Sequence, residues 1–251
     1  MPPAVEFRNV GYQIQGREIL RNISFAVQPG ETLVLLGRSG SGKTTALRLV
    51  NALLFPGSGE VLVEGRPTSS WDVISLRRRI GYVIQEVGLF PHWTVERNVG
   101  LVPRLLGQPD ALVQQRAVEF LSKVEIPAEE YGRRLPRELS GGQRQRVGVA
   151  RALAGDPPIL LFDEPFAALD PITRLELQRL SVAVRRDLTK TSLFVTHDLR
   201  EAMLVGTHIV LLDRGRVAWM GPARQFRDAT VPEAAAFLAS LAEGNVLGAS
   251  A

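Results

Sequence analysis

The sequence predicts an α/β fold, in which helices cover both faces of a mostly parallel β-sheet. Four short apolar runs are bounded by turn-forming or polar residues, which is typical of strands buried on both faces. The runs are Thr32–Leu36, Ile159–Phe162, Leu193–Thr196 and Ile209–Leu212. Helical patterns lie among them at Thr44–Leu54, Gln143–Ala154, Ile172–Leu188 and Leu199–Val205. The prediction depends on this alternation of strand and helix patterns.

Patterns typical of antiparallel strand pairs lie before and after the first of these runs, Thr32–Leu36. Val5–Ile14 and Glu18–Val27 flank a turn at Gln15-Gly16-Arg17, so they predict an N-terminal antiparallel β-subdomain. A further strand pair is predicted at Gly59–Glu64 and Ile80–Ile84.

The middle of the chain, from Thr94 to Arg137, has a helical and polar pattern that predicts a helical subdomain inserted in the core. Residues 1–251 are therefore predicted to form one domain. Its parts are a core with the β-subdomain in 1–93 and 138–230, the helical subdomain in 94–137, and a short C-terminal helix and tail in 231–251, with Phe237, Leu238 and Leu241 on one side of that helix.

Composition excludes several kinds of site. The chain has 251 residues, a formal net charge of +4 and no cysteine, which excludes disulfides, thiolate metal sites and a cysteine nucleophile. No apolar run approaches the roughly 18 residues of a membrane span. The arginines are scattered, with the densest groups at Arg77-Arg78-Arg79 and Arg133-Arg134, and this favours solvated helix faces over a nucleic-acid interface.

A glycine-rich loop lies between the apolar run Thr32–Leu36 and a helical pattern. Glycines let backbone N–H groups crowd around phosphate oxygens, and the helix dipole favours negative charge there. Lys43 is placed to reach the outer phosphates, and the Thr44 hydroxyl is placed to bind Mg²⁺. The pattern predicts a nucleoside triphosphate site, with a merely flexible loop as the alternative. The residues are Gly37, Arg38, Ser39, Gly40, Ser41, Gly42, Lys43 and Thr44, followed by Thr45.

Two further strings lie later in the chain. Ser140, Gly141, Gly142 and Gln143 stand at the start of a helix, where an anion is accepted, although such a string alone is more often a cap and a turn. The apolar strand Ile159–Phe162 ends in two carboxylates. In a sheet that carries a phosphate loop, Asp163 then lies beside the Mg²⁺ shell and Glu164 near the attacking water. A plain polar loop start is the alternative.

In this order, the motifs resemble those of the nucleotide-binding subunit of ATP-binding cassette (ABC) transporters, over nearly the whole chain. Residues 37–44 match the Walker A loop, 139–143 the family signature, and 159–165 Walker B with its catalytic glutamate. The tripeptide Ala168-Leu169-Asp170 matches the D-loop. Together with a Q-loop glutamine at Gln85 and a switch histidine at His197, six motifs occur in the family's order, so the resemblance is very specific.

Single residues extend the resemblance. Gln85 matches the glutamine of the Q-loop, and His197 matches the switch histidine. Tyr12 falls where the family keeps an aromatic residue that stacks on adenine, with Phe7 and Phe25 as alternatives.

The resemblance implies a P-loop NTPase (RecA-like) core that hydrolyses ATP with Mg²⁺ as a head-to-tail dimer of two copies. It implies that Glu164 is the general base, that His197 positions the γ-phosphate, and that Lys43 also serves catalysis. The implied Mg²⁺ ligands are Thr44, Gln85 and Asp163. The residues implied to contact the nucleotide are Tyr12, the nine residues 37–45 named above, Gln85, Ser140, Gly141, Gly142, Gln143 and Asp170.

The resemblance also implies partners. Membrane permease subunits and, indirectly, a solute-binding protein are expected, with the chain peripheral on the cytoplasmic face of the cell membrane and no nucleic acid bound. Residues 76–85 and 87–95 look most like those of bacterial importers of osmoprotectants such as glycine betaine, carnitine or choline. Importers of amino acids or polyamines, a soluble non-transport ABC ATPase and a catalytically silent subunit are the alternatives.

Overall fold

The computed structural model describes residues 2–85, 87–167 and 169–239. In chain order the elements are β1 (Val5–Ile14), β2 (Arg17–Val27), β3 (Thr32–Leu36), α1 (Lys43–Val50), β4 (Ser58–Val63), β5 (Arg66–Pro67), α2 (Val73–Arg78), β6 (Ile80–Val83), α3 (Val95–Val99), α4 (Leu101–Leu105), α5 (Asp110–Lys123), α6 (Ala128–Tyr131), α7 (Gly141–Ala154), β7 (Ile159–Asp163), α8 (Pro171–Leu188), β8 (Thr191–Thr196), α9 (Leu199–Val205), β9 (His208–Asp213) and β10 (Arg216–Pro222). Residues 232–239 are helical as well. Ala168 and Leu241, both named by sequence patterns, lie outside the described residues.

Two compact units make up the chain. The first contains the described residues up to Val73 and those from Thr191 onwards, and the second is Ile74–Lys190. The predicted helical subdomain, 94–137, falls within the second unit and holds α3 to α6. Its limits as a subdomain stay a prediction.

The first unit contains an antiparallel sheet and a mostly parallel one. The antiparallel sheet has the order β2-β1-β4-β5, and β3 pairs in parallel with both β8 and β9, while β10 pairs antiparallel with β9. Every residue of β3 and β8 is buried. Strands with two buried faces are rich in apolar side chains, which is why the apolar runs predicted both strands, although β8 begins two residues earlier than its run, at the buried polar residues Thr191 and Ser192.

In the second unit, α7 packs against β6 and against α5. β6 pairs in parallel with β7, from Ile80 opposite Ile159 to Val83 opposite Phe162. The predicted pairing of Gly59–Glu64 with Ile80–Ile84 is therefore wrong, because β4 pairs with β1 and β5 instead. No helix in the described part of the chain has the length and apolar character needed to cross a membrane.

Two element boundaries differ from the prediction for backbone reasons. Helix α1 ends at Val50 rather than Leu54, because Ala52 has a left-handed φ of 52° and the N–H groups of Leu53 and Leu54 both turn back to the Arg48 carbonyl. The first hairpin turns on Gln15 and Gly16, which both have positive φ, so β2 begins at Arg17.

Candidate functional site

The loop between β3 and α1 wraps around the side chain of Lys43. Its Nζ donates hydrogen bonds to the carbonyl oxygens of Gly37, at 2.8 Å, and Arg38, at 3.0 Å. The residue is 4% exposed. These carbonyls are neutral acceptors, so they fix the position of the ammonium group without cancelling its charge.

The start of α1 is built for close approach by an anion. Gly42 is its N-cap, with a φ of 104° and no side chain to cap the helix. A Cβ on Gly42 would lie 2.5 Å from Cδ2 of Leu20, so a larger residue does not fit. Nearby, the buried Ser41 hydroxyl has no hydrogen-bond partner within the described residues. Because the first N–H groups of a helix have no partner inside it, this arrangement fits a phosphate group.

A cavity of about 210 Å³ lies beside this loop in the first unit. Leu20, which contacts Gly42, also lines the cavity, so the cavity adjoins the start of α1. Phe7 and Phe25 stack on each other with ring centroids 4.4 Å apart and are 1% and 4% exposed, which makes them core residues. Of the three aromatic candidates, Tyr12 is the one at the cavity wall. The lining residues are Gly11, Tyr12, Gln13, Glu18, Leu20, Gly57 and Ser58.

His197 is exposed between β8 and α9, and its two neighbours are tightly held. The Thr196 hydroxyl donates to Oε2 of the buried Glu201 at 2.6 Å and accepts from the Asp198 N–H at 3.0 Å. Asp198 caps α9. Thr196 lies within the motif around His197, but Glu201 does not, although an Asp followed three residues later by Glu is a helix-start signal that predicts such a cap.

The two carboxylates predicted at the end of β7, Asp163 and Glu164, differ in burial and in backbone conformation. Asp163 is 8% exposed, and its Oδ2 accepts a hydrogen bond from the Tyr82 hydroxyl at 3.1 Å. Glu164, the next residue, is half-buried and has a left-handed φ of 44°. That conformation costs a non-glycine residue roughly 1–2 kcal/mol. Tyr82 was missed, because parallel pairing of β6 with β7 is not visible in the sequence.

Ser140 caps α7 in the second unit. Its hydroxyl accepts from the Gln143 N–H at 3.2 Å, and the Gln143 Oε1 accepts from the Ser140 N–H at 2.8 Å. Gln143 also donates to the Tyr131 hydroxyl at 3.3 Å. Ser140 and Gly141 are exposed, so the capped end of the helix faces outward from this unit.

Replacing Ser140 with alanine is expected to lower the free energy of unfolding by about 1 kcal/mol, because the Gln143 N–H loses its acceptor. Urea denaturation measures the change. Ser122→Ala, at an exposed position of α5, is the matched control and is expected to be near neutral. Equal effects of the two substitutions would contradict the capping role.

Asp170 caps α8. Its Oδ1 accepts from the N–H groups of Ile172 and Thr173, both at 3.1 Å. A hydrogen bond from the Thr173 side chain and those from the backbone hold the pKa of Asp170 below its ordinary value of 3.8.

A carboxylate whose pKa is lowered by folding contributes stability above its unfolded pKa, and the contribution is lost as the pH falls below 3.8 towards the folded pKa. We expect the urea midpoint of Asp170→Asn to depend less on pH across this acid range than that of the wild type. Asp110→Asn, at an exposed carboxylate of α5, serves as the control. Parallel acid limbs for wild type and Asp170→Asn would contradict the prediction.

A second cavity, of about 380 Å³, brings two predicted site residues of the second unit together. Gln85 and Gly141 both line it, as do the residues next to Glu164 and Asp170 in the chain. Gln145, which the motifs did not single out, is 2% exposed and has no partner for its Nε2 among the described residues. The lining residues are Gln85, Val87, Gly88, Leu89, Pro136, Gly141, Arg144, Gln145, Pro165 and Leu169.

The donor set proposed for Mg²⁺ is sparse. In the described ranges, no three His, Asp or Glu side chains are grouped so as to hold a metal ion. Of the predicted ligands, those in the second unit, Gln85 and Asp163, supply an amide and one carboxylate. Such a set fits Mg²⁺, which is usually bound through one or two carboxylates together with phosphates and water.

Comparison with known proteins agrees with this fold. Its α/β architecture is that of the P-loop NTPases. A solved dimeric structure of the ATP-binding cassette MJ0796, in a post-hydrolysis state bound to ADP and Pi, superposes with a TM-score of 0.77 and 34% identity, covering 88% of this chain and 99% of that one. The ABC transporter family model matches residues 20–167. The chain belongs to the ABC transporter family.

Several curated relatives are import or transport ATP-binding proteins. The osmoprotectant import ATP-binding protein OsmV of Salmonella typhimurium is 48% identical over 196 residues, which are 78% of this chain and 51% of the relative. The glycine betaine/carnitine/choline transport ATP-binding protein OpuCA of Bacillus subtilis is 46% identical over 206 residues, covering 82% and 54%. The chain thus spans about half the length of these relatives.

Proposed function

We propose that the protein is the ATP-hydrolysing subunit of an ABC importer, in which two copies close around two Mg-ATP and drive solute uptake through a separate permease. The observation that carries the proposal is the loop at residues 37–44, where a buried Lys43 lies beside a helix start that has no side-chain cap. The solved cassette bound to ADP and Pi supports it, because this chain covers nearly all of that structure.

Hydrolysis would proceed by positioning and general-base catalysis. Lys43 and the N–H groups at the start of α1 bind the outer phosphates, and Tyr12 stacks on the base. Thr44, Gln85 and Asp163 would hold Mg²⁺, which would supply neutralising charge on the phosphates. Glu164 accepts the proton of the attacking water, and His197 positions the γ-phosphate. Held by Tyr82, Asp163 keeps one orientation.

The second copy would complete each site. Ser140, Gly141, Gly142 and Gln143 of one copy face the γ-phosphate bound to the other, since the N–H groups of the first residues at this exposed helix start have no acceptor inside the helix. Asp170 lies at the same seam. The γ-phosphate exists only before hydrolysis, so the two copies separate afterwards.

Light scattering tests this closure. The Glu164→Gln variant, which keeps its nucleotide, is expected to double in mass with Mg-ATP and to remain monomeric with Mg-ADP. A mass that stays monomeric with Mg-ATP would contradict the head-to-tail dimer.

The solute proposed is an osmoprotectant or another quaternary amine, as the names of the relatives OsmV and OpuCA indicate for those proteins. The chain would lie on the cytoplasmic face of the cell membrane, bound to permease subunits that receive solute from a binding protein. Co-purification with a polytopic membrane protein separates this function from that of a soluble ABC ATPase. A measurable ATPase rate separates it from that of a silent subunit.

A further inference from the structure

The chain contacts α7 both before Gln85, at Gly81, and after it, at Val87. We call these residues, together with Gln85 and Gly88, the Gln85 segment. Before Gln85, a Cβ on Gly81 of β6 would lie 2.5 Å from the Ala152 carbonyl oxygen, so strand and helix are in direct contact. After Gln85, a Cβ on Gly148 of α7 would lie 2.7 Å from Cγ1 of Val87. Both contacts leave room for glycine alone.

Arg151 adds a polar attachment next to Gly148. Its Nη1 donates to the Gly88 carbonyl oxygen at 2.7 Å, and its Nη2 donates to that of Val87 at 2.8 Å. The guanidinium thus donates to two successive carbonyls through two different nitrogens. Lysine has a single ammonium nitrogen and does not reproduce this geometry. Arg151 is half-buried, and this burial lowers the pKa of its guanidinium.

We propose that Arg151 is a positioning residue, which fastens the Gln85 segment to the helix that begins at Ser140. The proposal rests on the proposed function, in which Gln85 binds Mg²⁺ beside one nucleotide and Ser140 contacts the other. Because α7 is one continuous helix, a displacement at Ser140 is carried to Gln85 through Arg151 and Gly148. Without Arg151, Val87 and Gly88 lose these two hydrogen bonds to α7, while Phe90 keeps its hydrogen bonds with Asn98.

Hydrogen–deuterium exchange on the nucleotide-free protein tests the attachment itself. Arg151→Met is expected to speed amide exchange in residues 87–90 about tenfold or more, and Arg151→Lys by less, since a lysine keeps one of the two bonds. Arg104→Met, at an exposed arginine of α4, is the matched control and is expected to change nothing in this segment. Exchange equal to that of the control, in both Arg151 variants, would overturn the proposal.

A double-mutant cycle tests the route through Gln85. Arg151→Lys is expected to raise the Mg²⁺ concentration for half-maximal ATP binding several-fold in the wild-type background and to have no effect in Gln85→Ala. Equal effects in the two backgrounds would overturn the action through Gln85. If the wild type bound no Mg-ATP, the proposed function would fail, while the exchange measurement would still decide whether Arg151 holds the segment.

Discussion

The Glu164→Gln variant is expected to hydrolyse ATP at least about 10²-fold more slowly than the wild type, with an affinity for Mg-ATP close to normal. The amide keeps the size and backbone conformation of the glutamate, but it cannot accept a proton from water. Stability is expected to be unchanged, because the left-handed φ of 44° strains both residues alike. Single-turnover kinetics and equilibrium nucleotide binding measure the two quantities separately.

Glu129→Gln, at an exposed carboxylate of α6, is the matched control and is expected to turn over normally. Near-normal hydrolysis by Glu164→Gln would remove this carboxylate from the role of general base. Equal loss of binding and of turnover would instead indicate that the substitution disturbs the nucleotide site as a whole.

The Lys43→Ala variant is expected to bind ATP about 10- to 100-fold more weakly. Hydrogen bonds to a charged group contribute about 1.5–3 kcal/mol each, and every 1.4 kcal/mol changes an equilibrium constant tenfold. Titration calorimetry measures the affinity. Lys123→Ala, at a lysine of α5 paired with Glu119, removes the same charge elsewhere and is expected to leave the affinity unchanged.

Lys43→Ala also removes the hydrogen-bond donor of the Gly37 and Arg38 carbonyls. The substitution therefore lowers the stability of the loop as well as the affinity for ATP. Thermal unfolding without nucleotide measures that structural loss on its own. An affinity equal to that of Lys123→Ala would mean that the ammonium does not reach the phosphates.

Elements with strong local signals could be predicted from the sequence. The apolar runs of β3 and β8 and the glycines before α1 each impose their own conformation, so strand and loop were placed correctly. The partner of β6 could not be predicted, because parallel pairing joins segments far apart in the chain. For the same reason the contact of Tyr82 with Asp163 was missed.

The residues of the candidate site likewise fall into those that the sequence predicts and those that it does not. Residues that belong to continuous motifs, such as Lys43 and Ser140, could be named at once. Residues that hold those motifs in place, such as Glu201 and Arg151, act through contacts that only the folded chain creates. The helix-start signal at Asp198 points to Glu201 but not to its bond with Thr196, and the side chain of Arg151 is ordinary for a helix, so no local pattern distinguishes it.

The backbone of Glu164 restricts which mutations this position can accept. With φ at 44°, a branched Cβ collides with its own main chain, so valine, isoleucine and threonine are disfavoured whatever their chemistry. Glycine, asparagine and aspartate are tolerated sterically. Random mutagenesis scored by folded yield alone would therefore select against branched side chains, and a screen for ATP hydrolysis would then narrow the accepted residues to acids.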